Sequence, residues 1–355
     1  MFLKNTIILS GLAAFIQVNA QQTVMPKLKD AAAFPVAFAI DPVRVRTNDL
    51  FRRTVLEHAD GITATNCMKP SRISRQKGTF DFAEADELIA FAQANGKRVH
   101  GHTLVWYIDT APAWMKQIRD STQLENVLNG YIRTVGSHFK GKVASWDVVN
   151  EAFDNKTGAI RTDSIGHNGK TNLNLGRILG KDYVARMFQY AHQADPGALL
   201  FYNEYGQETN PAKLDAVIGM VADFKKRGIP IHGLGLQMHI NIDTPDAGIE
   251  HALRKSSETG LMVHISELDI SMNTAKTKPF KPTAEQLEAQ YRKYRFVADA
   301  YKRLVPKAQQ FGITTWGIAD ADSWIPGFCS CEDYPLLFDQ GYQPKKALTG
   351  FVEGL

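Results

Sequence analysis

The chain is poor in cysteine. Cys67, Cys329 and Cys331 are the only three among 355 residues. That is too few for a disulfide scaffold, and their spacing is not that of a zinc site. Excess charge is also small: 41 lysines and arginines against 37 aspartates and glutamates leave a formal +4. With no basic stripe, this argues against an electrostatic nucleic-acid partner. No apolar run reaches the roughly 20 residues that span a bilayer, so no membrane partner is expected. There is no linker rich in serine, proline or glycine, no internal repeat, no phosphate-binding glycine turn and no Gly-x-Ser-x-Gly elbow. Apolar residues at 44% and charged residues at 22% are those of a globular domain. Collagen, coiled coil, disordered tail and multi-span membrane protein are all excluded on these counts.

What is present begins with a separate N-terminal segment. Lys4 supplies a minimal positive start, residues 7–16 are apolar apart from small residues and Ser10, and Val18-Asn19-Ala20 reads as a small-x-small cleavage site. These three parts make a secretory signal peptide over residues 1–20. The mature chain, residues 21–355, is then expected outside the cytoplasm, secreted or periplasmic, and as a monomer.

The remainder alternates short apolar runs with helical stretches. The runs cover residues 34–40, 61–66, 98–106, 144–151, 198–204, 233–239, 261–267 and 312–317. They are rich in aliphatic, aromatic and β-branched residues, as strands buried on both faces are. Thr122 with Glu125, and Thr283 with Gln286, are capping-box patterns that start helices. Leu124, Leu128, Tyr131 and Val135 follow the first at helical spacing. Eight strands alternating with helices predict a single-domain (β/α)8 TIM barrel. An open doubly wound sheet would carry a glycine-rich turn after its first strand, and residues 34–41 have none.

In such a barrel the chemistry sits at the C-terminal strand ends. Here those ends hold Asn66, His102, Trp106, Asn150, Glu151, Asn203, Glu204, Gln237, His239, Glu267, Asp269 and Trp316. Carboxylates among indoles and amides suit glycoside hydrolysis. One carboxylic acid protonates the leaving oxygen, and a second carboxylate attacks the anomeric carbon or activates water. A lone glutamate at a strand end is ordinarily an ion-pair partner, but Glu151, Glu204 and Glu267 occupy three corresponding ends. Asp147, inside Trp146-Asp147-Val148-Val149, reads as a buried hydrogen-bonded support. His102, His239 and Glu267 are conceivable metal ligands. Metal-dependent barrel hydrolases commonly carry His-x-His on the first strand, which residues 34–41 lack, so neither metal nor cofactor is expected.

From about residue 28 to 351 the chain resembles glycoside hydrolase family 10, the endo-β-1,4-xylanase family. The resemblance rests on motifs in order: Asn66-Cys67-Met68-Lys69, Gly101-His102-Thr103-Leu104-Val105-Trp106, Trp146-Asp147-Val148-Val149-Asn150-Glu151-Ala152, Asn203-Glu204-Tyr205, Gly235-Leu236-Gln237-Met238-His239, Ser266-Glu267-Leu268-Asp269, Thr315-Trp316-Gly317 with Asp322-Ser323-Trp324, and Pro335-Leu336-Leu337-Phe338-Asp339. It implies a retaining endo-β-1,4-xylanase whose partner is a polysaccharide, xylan or a related β-glycan. Glu151 would be the general acid/base and Glu267 the nucleophile. His239 would orient Glu267, with Asp269 behind it. Asn150 would bind the sugar 2-hydroxyl. Asn66, Lys69, His102, Trp106 and Gln237 would hold the glycone sugars, Trp316 and Trp324 would wall the site, and Tyr205 would stack on the leaving-group side.

Two departures bear on substrate. Thr65 stands where the family usually has a glutamate that binds the second glycone sugar. Tyr107-Ile108-Asp109 replaces the usual His-x-Gln. The alternative reading is therefore a retaining enzyme for a decorated or different β-glycan. A binding-only barrel would be marked by loss of either carboxylate, and both are in place. The segment Phe328-Cys329-Ser330-Cys331 follows Trp324, and three arrangements stay open for it: a bridge between its own cysteines, a bridge to Cys67, or free thiols.

Overall fold

A computed structural model describes residues 26–108, 111–162 and 172–355. Residues 1–20, expected to be a signal peptide, and Asp109 lie outside the described residues. Nine strand segments occur: β1 Val36–Ile40, β2 Gly61–Ala64, β3 Arg98–Trp106, β4 Ser145–Asn150, β5 Leu199–Glu204, β6 Gly233–Leu236, β7 His239–Asn241, β8 Met262–Ser271 and β9 Gln310–Thr315. All pairings are parallel. They run from β1 through β6, from β6 to β8, from β8 to β9, and from β9 back to β1. The sheet is therefore closed, an eight-stranded barrel wrapped by helices.

The sixth run does not form one strand. It breaks after Leu236, and β7 continues on the far side, paired with β8. Met238 at the break has φ 58°, in the left-handed region that non-glycine residues seldom enter. The break re-aims Gln237 and His239, as strand irregularities beside active sites do.

The helices follow from the pattern with one correction. Thr283 and Gln286 form the capping box that opens helix Ala284–Leu304. The helix Ser121–Phe139 is instead capped by Asp120, whose carboxylate accepts from the Gln123 amide at 2.7 Å. Thr122 lies within the first turn. Glu125 reaches away, to Arg186 at 2.8 Å and to the Tyr190 hydroxyl at 2.6 Å. Leu124, Leu128, Tyr131 and Val135 are buried as the spacing requires.

The barrel interior is polar as well as apolar. Alternation along β3 turns Arg98, His100 and His102 to one side, since successive strand residues face opposite ways. The rings of His100, His264, Phe201 and Phe311 pack together at centroid distances of 4.5–6.1 Å. Above them Asp147 lies 3.0 Å from His100 Nε2 and 2.9 Å from His102 Nδ1. Asp147 is 1% exposed, and burial alone would raise its pKa. The two imidazoles outweigh that and hold the carboxyl well below the usual range. This column supports the floor of the cleft described next.

Candidate active site

The twelve residues expected to form the site all line one cleft of about 860 Å³ at the C-terminal strand ends. They are Asn66, Lys69, His102, Trp106, Asn150, Glu151, Tyr205, Gln237, His239, Glu267, Trp316 and Trp324.

Glu151 is the first residue past β4, and it has φ 57°. A left-handed conformation costs a non-glycine residue about 1–3 kcal/mol and persists where the surroundings over-determine it. Here the Glu151 amide donates to Asn203 O at 3.0 Å, and Arg161 Nε donates to the Glu151 carbonyl at 3.1 Å. The carboxylate accepts from Trp106 Nε1 at 3.0 Å, Gln237 Nε2 at 3.0 Å and Asn150 Nδ2 at 3.1 Å. Those donors favour the charged form. Burial, first, and the nearby charges of Glu204 and Glu267 prevail, and the pKa of Glu151 is raised.

Glu267 lies within β8 and has the opposite environment. It accepts from Asn203 Nδ2 at 2.7 Å and faces His239 Nε2 at 3.2 Å. The other nitrogen of His239 lies 2.9 Å from Asp269 Oδ2, which also accepts from Trp324 Nε1 at 2.8 Å. Burial works against a charged imidazole, yet the two carboxylates raise the His239 pKa to about 10. Burial likewise works against a charged Glu267, and the His239 hydrogen bond together with the positive fields of His102 and His239 lowers its pKa. Two carboxyl groups facing one cleft are thus pushed apart, one toward the acid and one toward the carboxylate.

Asn203 joins the two halves. Its Nδ2 donates to Glu267 Oε1 and, at 3.0 Å, to Asn150 Oδ1, while its Oδ1 accepts from Ser266 Oγ at 2.6 Å. Gly235 makes room for this side chain, since a Cβ there would lie 2.1 Å from Asn203 Oδ1. Asn203 was visible in the sequence as an Asn-Glu pair matching Asn150-Glu151, but its bridging position was not. Arg161, in the loop after β4, was not singled out at all. Its guanidinium carbon lies 4.6 Å from the Tyr107 ring centroid, and its Nη2 donates to the Tyr205 hydroxyl at 2.8 Å.

The third strand-end glutamate is committed elsewhere. Glu204 Oε1 lies 2.7 Å from Lys213 Nζ, with both side chains at 0% exposure. Its carboxylate also accepts from the Tyr202 hydroxyl and from the amides of Phe153 and Tyr205. Lys69 sits 5.0 Å from the Trp106 ring centroid and 5.7 Å from that of Trp316, and burial lowers its pKa to about 8. The Trp316 ring centroid is 5.2 Å from that of His102. Thr65 lines the same cleft, but its hydroxyl donates to Ile40 O at 3.2 Å. Tyr107 is buried beside Arg161. Cys329 and Cys331 form a disulfide, whereas Cys67 is free and buried. Among the described residues no group of three or more histidine, cysteine or acidic side chains is arranged to hold a metal.

The sequence profile described as Glycosyl hydrolase family 10 matches residues 27–354. The chain belongs to that family. It is 35% identical to the endo-beta-1,4-xylanase Xyn10C of Cellvibrio japonicus over 99% of this chain, though it spans only 61% of that protein. It is 33% identical to endo-1,4-beta-xylanase B of Paenibacillus barcinonensis, covering 93% of this chain and 98% of that one. The solved structure of a xylanase 10C mutant from Cellvibrio japonicus in complex with xylopentaose matches with a TM-score of 0.85 at 34% identity. That match covers 93% of this chain and 69% of the other. Family 10 membership accounts for the closed barrel and for a cleft at the strand ends.

Proposed function

We propose that the chain is an endo-β-1,4-xylanase that cleaves the xylan backbone with retention of anomeric configuration. The observation that carries this is the pair Glu151 and Glu267, two carboxyl groups on one cleft held in opposite electrostatic environments. Glu267, kept charged by His239, attacks the anomeric carbon. Glu151 gives its proton to the departing glycosidic oxygen, the glycosidic bond breaks, and a covalent glycosyl-enzyme forms. The negative charge of Glu267 is thereby consumed, so the pKa of Glu151 falls. Glu151 then takes a proton from water, the water oxygen attacks the anomeric carbon, and Glu267 leaves as a carboxylate.

The other side chains serve this pair. Asn150, bridged by Asn203, meets the 2-hydroxyl. Asn66, Lys69, His102, Trp106 and Gln237 bind the glycone sugars. Trp316 and Trp324 wall the site, and Tyr205, braced by Arg161, stacks on the leaving-group side. Residues 1–20 act as a signal peptide, and residues 21–355 work as one catalytic barrel outside the cytoplasm. The Cys329–Cys331 bridge supports that location, because disulfides persist in oxidising compartments.

One observation favours a second reading, a retaining enzyme for a decorated or different β-glycan. The Thr65 hydroxyl is turned to Ile40 O, so a contact usual for the family's second glycone sugar is missing. Losing a buried polar contact costs about 1–3 kcal/mol. Hydrolysis of linear xylan, arabinoxylan, glucuronoxylan and β-glucans, with Glu267→Ala as control, separates the readings. Release of xylobiose and xylotriose from linear xylan, abolished in the variant, supports the xylanase. Activity confined to another glycan overturns it in favour of the second reading.

A further inference from the structure

The cleft extends past the residues of the proposed mechanism. Across the seam between β1 and β9, Val43, Arg44 and Phe51 share its wall with Ala321, Asp322 and Phe328. Arg44 bridges the seam directly, through a hydrogen-bonded ion pair with Asp322. Five large hydrophobic side chains are exposed among the described residues: Val43, Leu50, Phe80, Trp324 and Phe328. Three of the five, Val43 at 38%, Trp324 at 37% and Phe328 at 63%, line this one cleft. Single exposed hydrophobics are ordinary, but their convergence on a cleft marks a binding surface.

Phe328 is held in place rather than left loose. It lies in the short helix Ile325–Cys329, and its amide donates to Trp324 O at 3.1 Å. Its ring centroid is 5.0 Å from that of Trp324. The Cys329–Cys331 bridge closes the turn behind it, and Cys331 is 3% exposed. Two residues on, the Asp333 carboxylate accepts from the amides of Met272 at 3.0 Å and Tyr334 at 2.8 Å, and from the Ser271 hydroxyl. Trp324 in turn donates to Asp269, the carboxylate that holds His239.

We propose that Phe328, with Val43 lining the same cleft, forms an additional subsite that takes one further neutral pyranose of the glycan backbone on the glycone side. This rests on the glycanase reading above and extends it outward. An aromatic ring among aliphatic groups suits the C–H face of a sugar. The guanidinium on this wall is already paired, since Asp322 and the Tyr342 hydroxyl at 2.8 Å both accept from Arg44. A uronate here would have to compete with Asp322 for that guanidinium. The subsite compensates at longer range for the contact that Thr65 does not make.

The test is chain-length dependence. kcat/KM is measured for unbranched β-1,4-xylo-oligosaccharides of three to six units with the wild-type protein, Phe328→Ala and Phe328→Tyr. The expected result is a six-unit to three-unit ratio that falls about fivefold in Phe328→Ala and is largely kept in Phe328→Tyr. A ratio equal to wild type in Phe328→Ala overturns the subsite, because general damage to the Trp324 loop lowers both rates together. If the wild-type protein cleaves only the β-1,4-gluco series, the xylanase reading falls and the same ratio on that series decides the subsite. Cleavage of neither series overturns both.

Discussion

His239 holds Glu267 with one ring nitrogen and Asp269 with the other, at 3.2 and 2.9 Å. The imidazole is thereby kept charged, with a pKa of about 10, and Glu267 is kept below the usual carboxylate range. Asp269→Asn removes the charge that sustains the imidazolium. The pKa of Glu267 is then expected to rise, and the acid limb of the kcat/KM profile to move to higher pH, while the alkaline limb, set by Glu151, stays. The stability sign follows from the same shifts. A raised histidine contributes stability that is full below its unfolded pKa, near 6.5, and is lost as pH rises through about 10. The lowered Glu267 contributes above its unfolded pKa, near 4.5, and loses it as pH falls through the lowered folded value. From these two groups wild-type stability should therefore be greatest between about pH 4.5 and 6.5, decline from pH 6.5 towards 10, and decline below 4.5, and Asp269→Asn should lose the alkaline part of that dependence.

The two glutamates should fail differently. Glu267→Ala is expected to abolish turnover of every substrate, since the proposed nucleophile is removed. Glu151→Ala should lower kcat on xylan by about 10²–10⁴-fold, the range of general acid–base catalysis. An aryl xyloside with an acidic phenol needs no protonation to leave, so its first step survives and the slow second step lowers kcat and KM together. Steady-state kinetics on the two substrate types checks this. Equal losses of kcat/KM on both in Glu151→Ala would mean that Glu151 is not the acid.

Much of this site was legible because parallel barrel strands are apolar until their ends. A polar residue there stands out, as Glu151 and Glu267 do. The break after Leu236 was not legible, because Gln237 and Met238 continue the run and no glycine marks the left-handed turn at Met238. Asp120 and Thr122 are both good caps two residues apart, and only the backbone decides between them. The Asn203 bridge depends on the strand order that places β5 beside β4 and one strand away from β8, which carries Glu267, and no local pattern encodes that. Arg161 lies in an irregular loop, where periodicity gives no signal. The cysteine pairing stayed open because spacing alone permits either partner.

The three cysteines give a direct count. Cys67 is 2% exposed, and burial pushes its pKa up to about 12, so little reactive thiolate exists at neutral pH. Native protein purified without reductant should show no fast-reacting thiol. In denaturant one thiol per chain should react, and three after reduction. Three reactive thiols in denaturant before reduction would show that the Cys329–Cys331 bridge is not formed, and the lip that carries Phe328 would lose its closure.

Lys213 and Glu204 are a fully buried pair, 2.7 Å apart, and Lys213 also donates to Asn155 Oδ1 at 3.0 Å and lies 3.5 Å from the Tyr205 ring centroid. Lys213→Met leaves the buried Glu204 carboxyl without its ion-pair partner. Breaking such a pair costs about 3–5 kcal/mol, and urea unfolding should show it. Adding Glu204→Gln removes the stranded carboxyl and should recover part of the loss, because an amide oxygen in the Oε2 position still accepts from Tyr202 and the Phe153 amide, while the Tyr205 amide loses its acceptor. The pair also reaches the chemistry, since Glu204 is the nearby charge that does most to raise the Glu151 pKa. In Lys213→Met the unpaired Glu204 should push Glu151 higher and move the alkaline limb of kcat/KM upward. In the double variant that charge is gone, and the limb should fall below wild type. A profile that stays fixed in both variants would confine Glu204 to holding the fold.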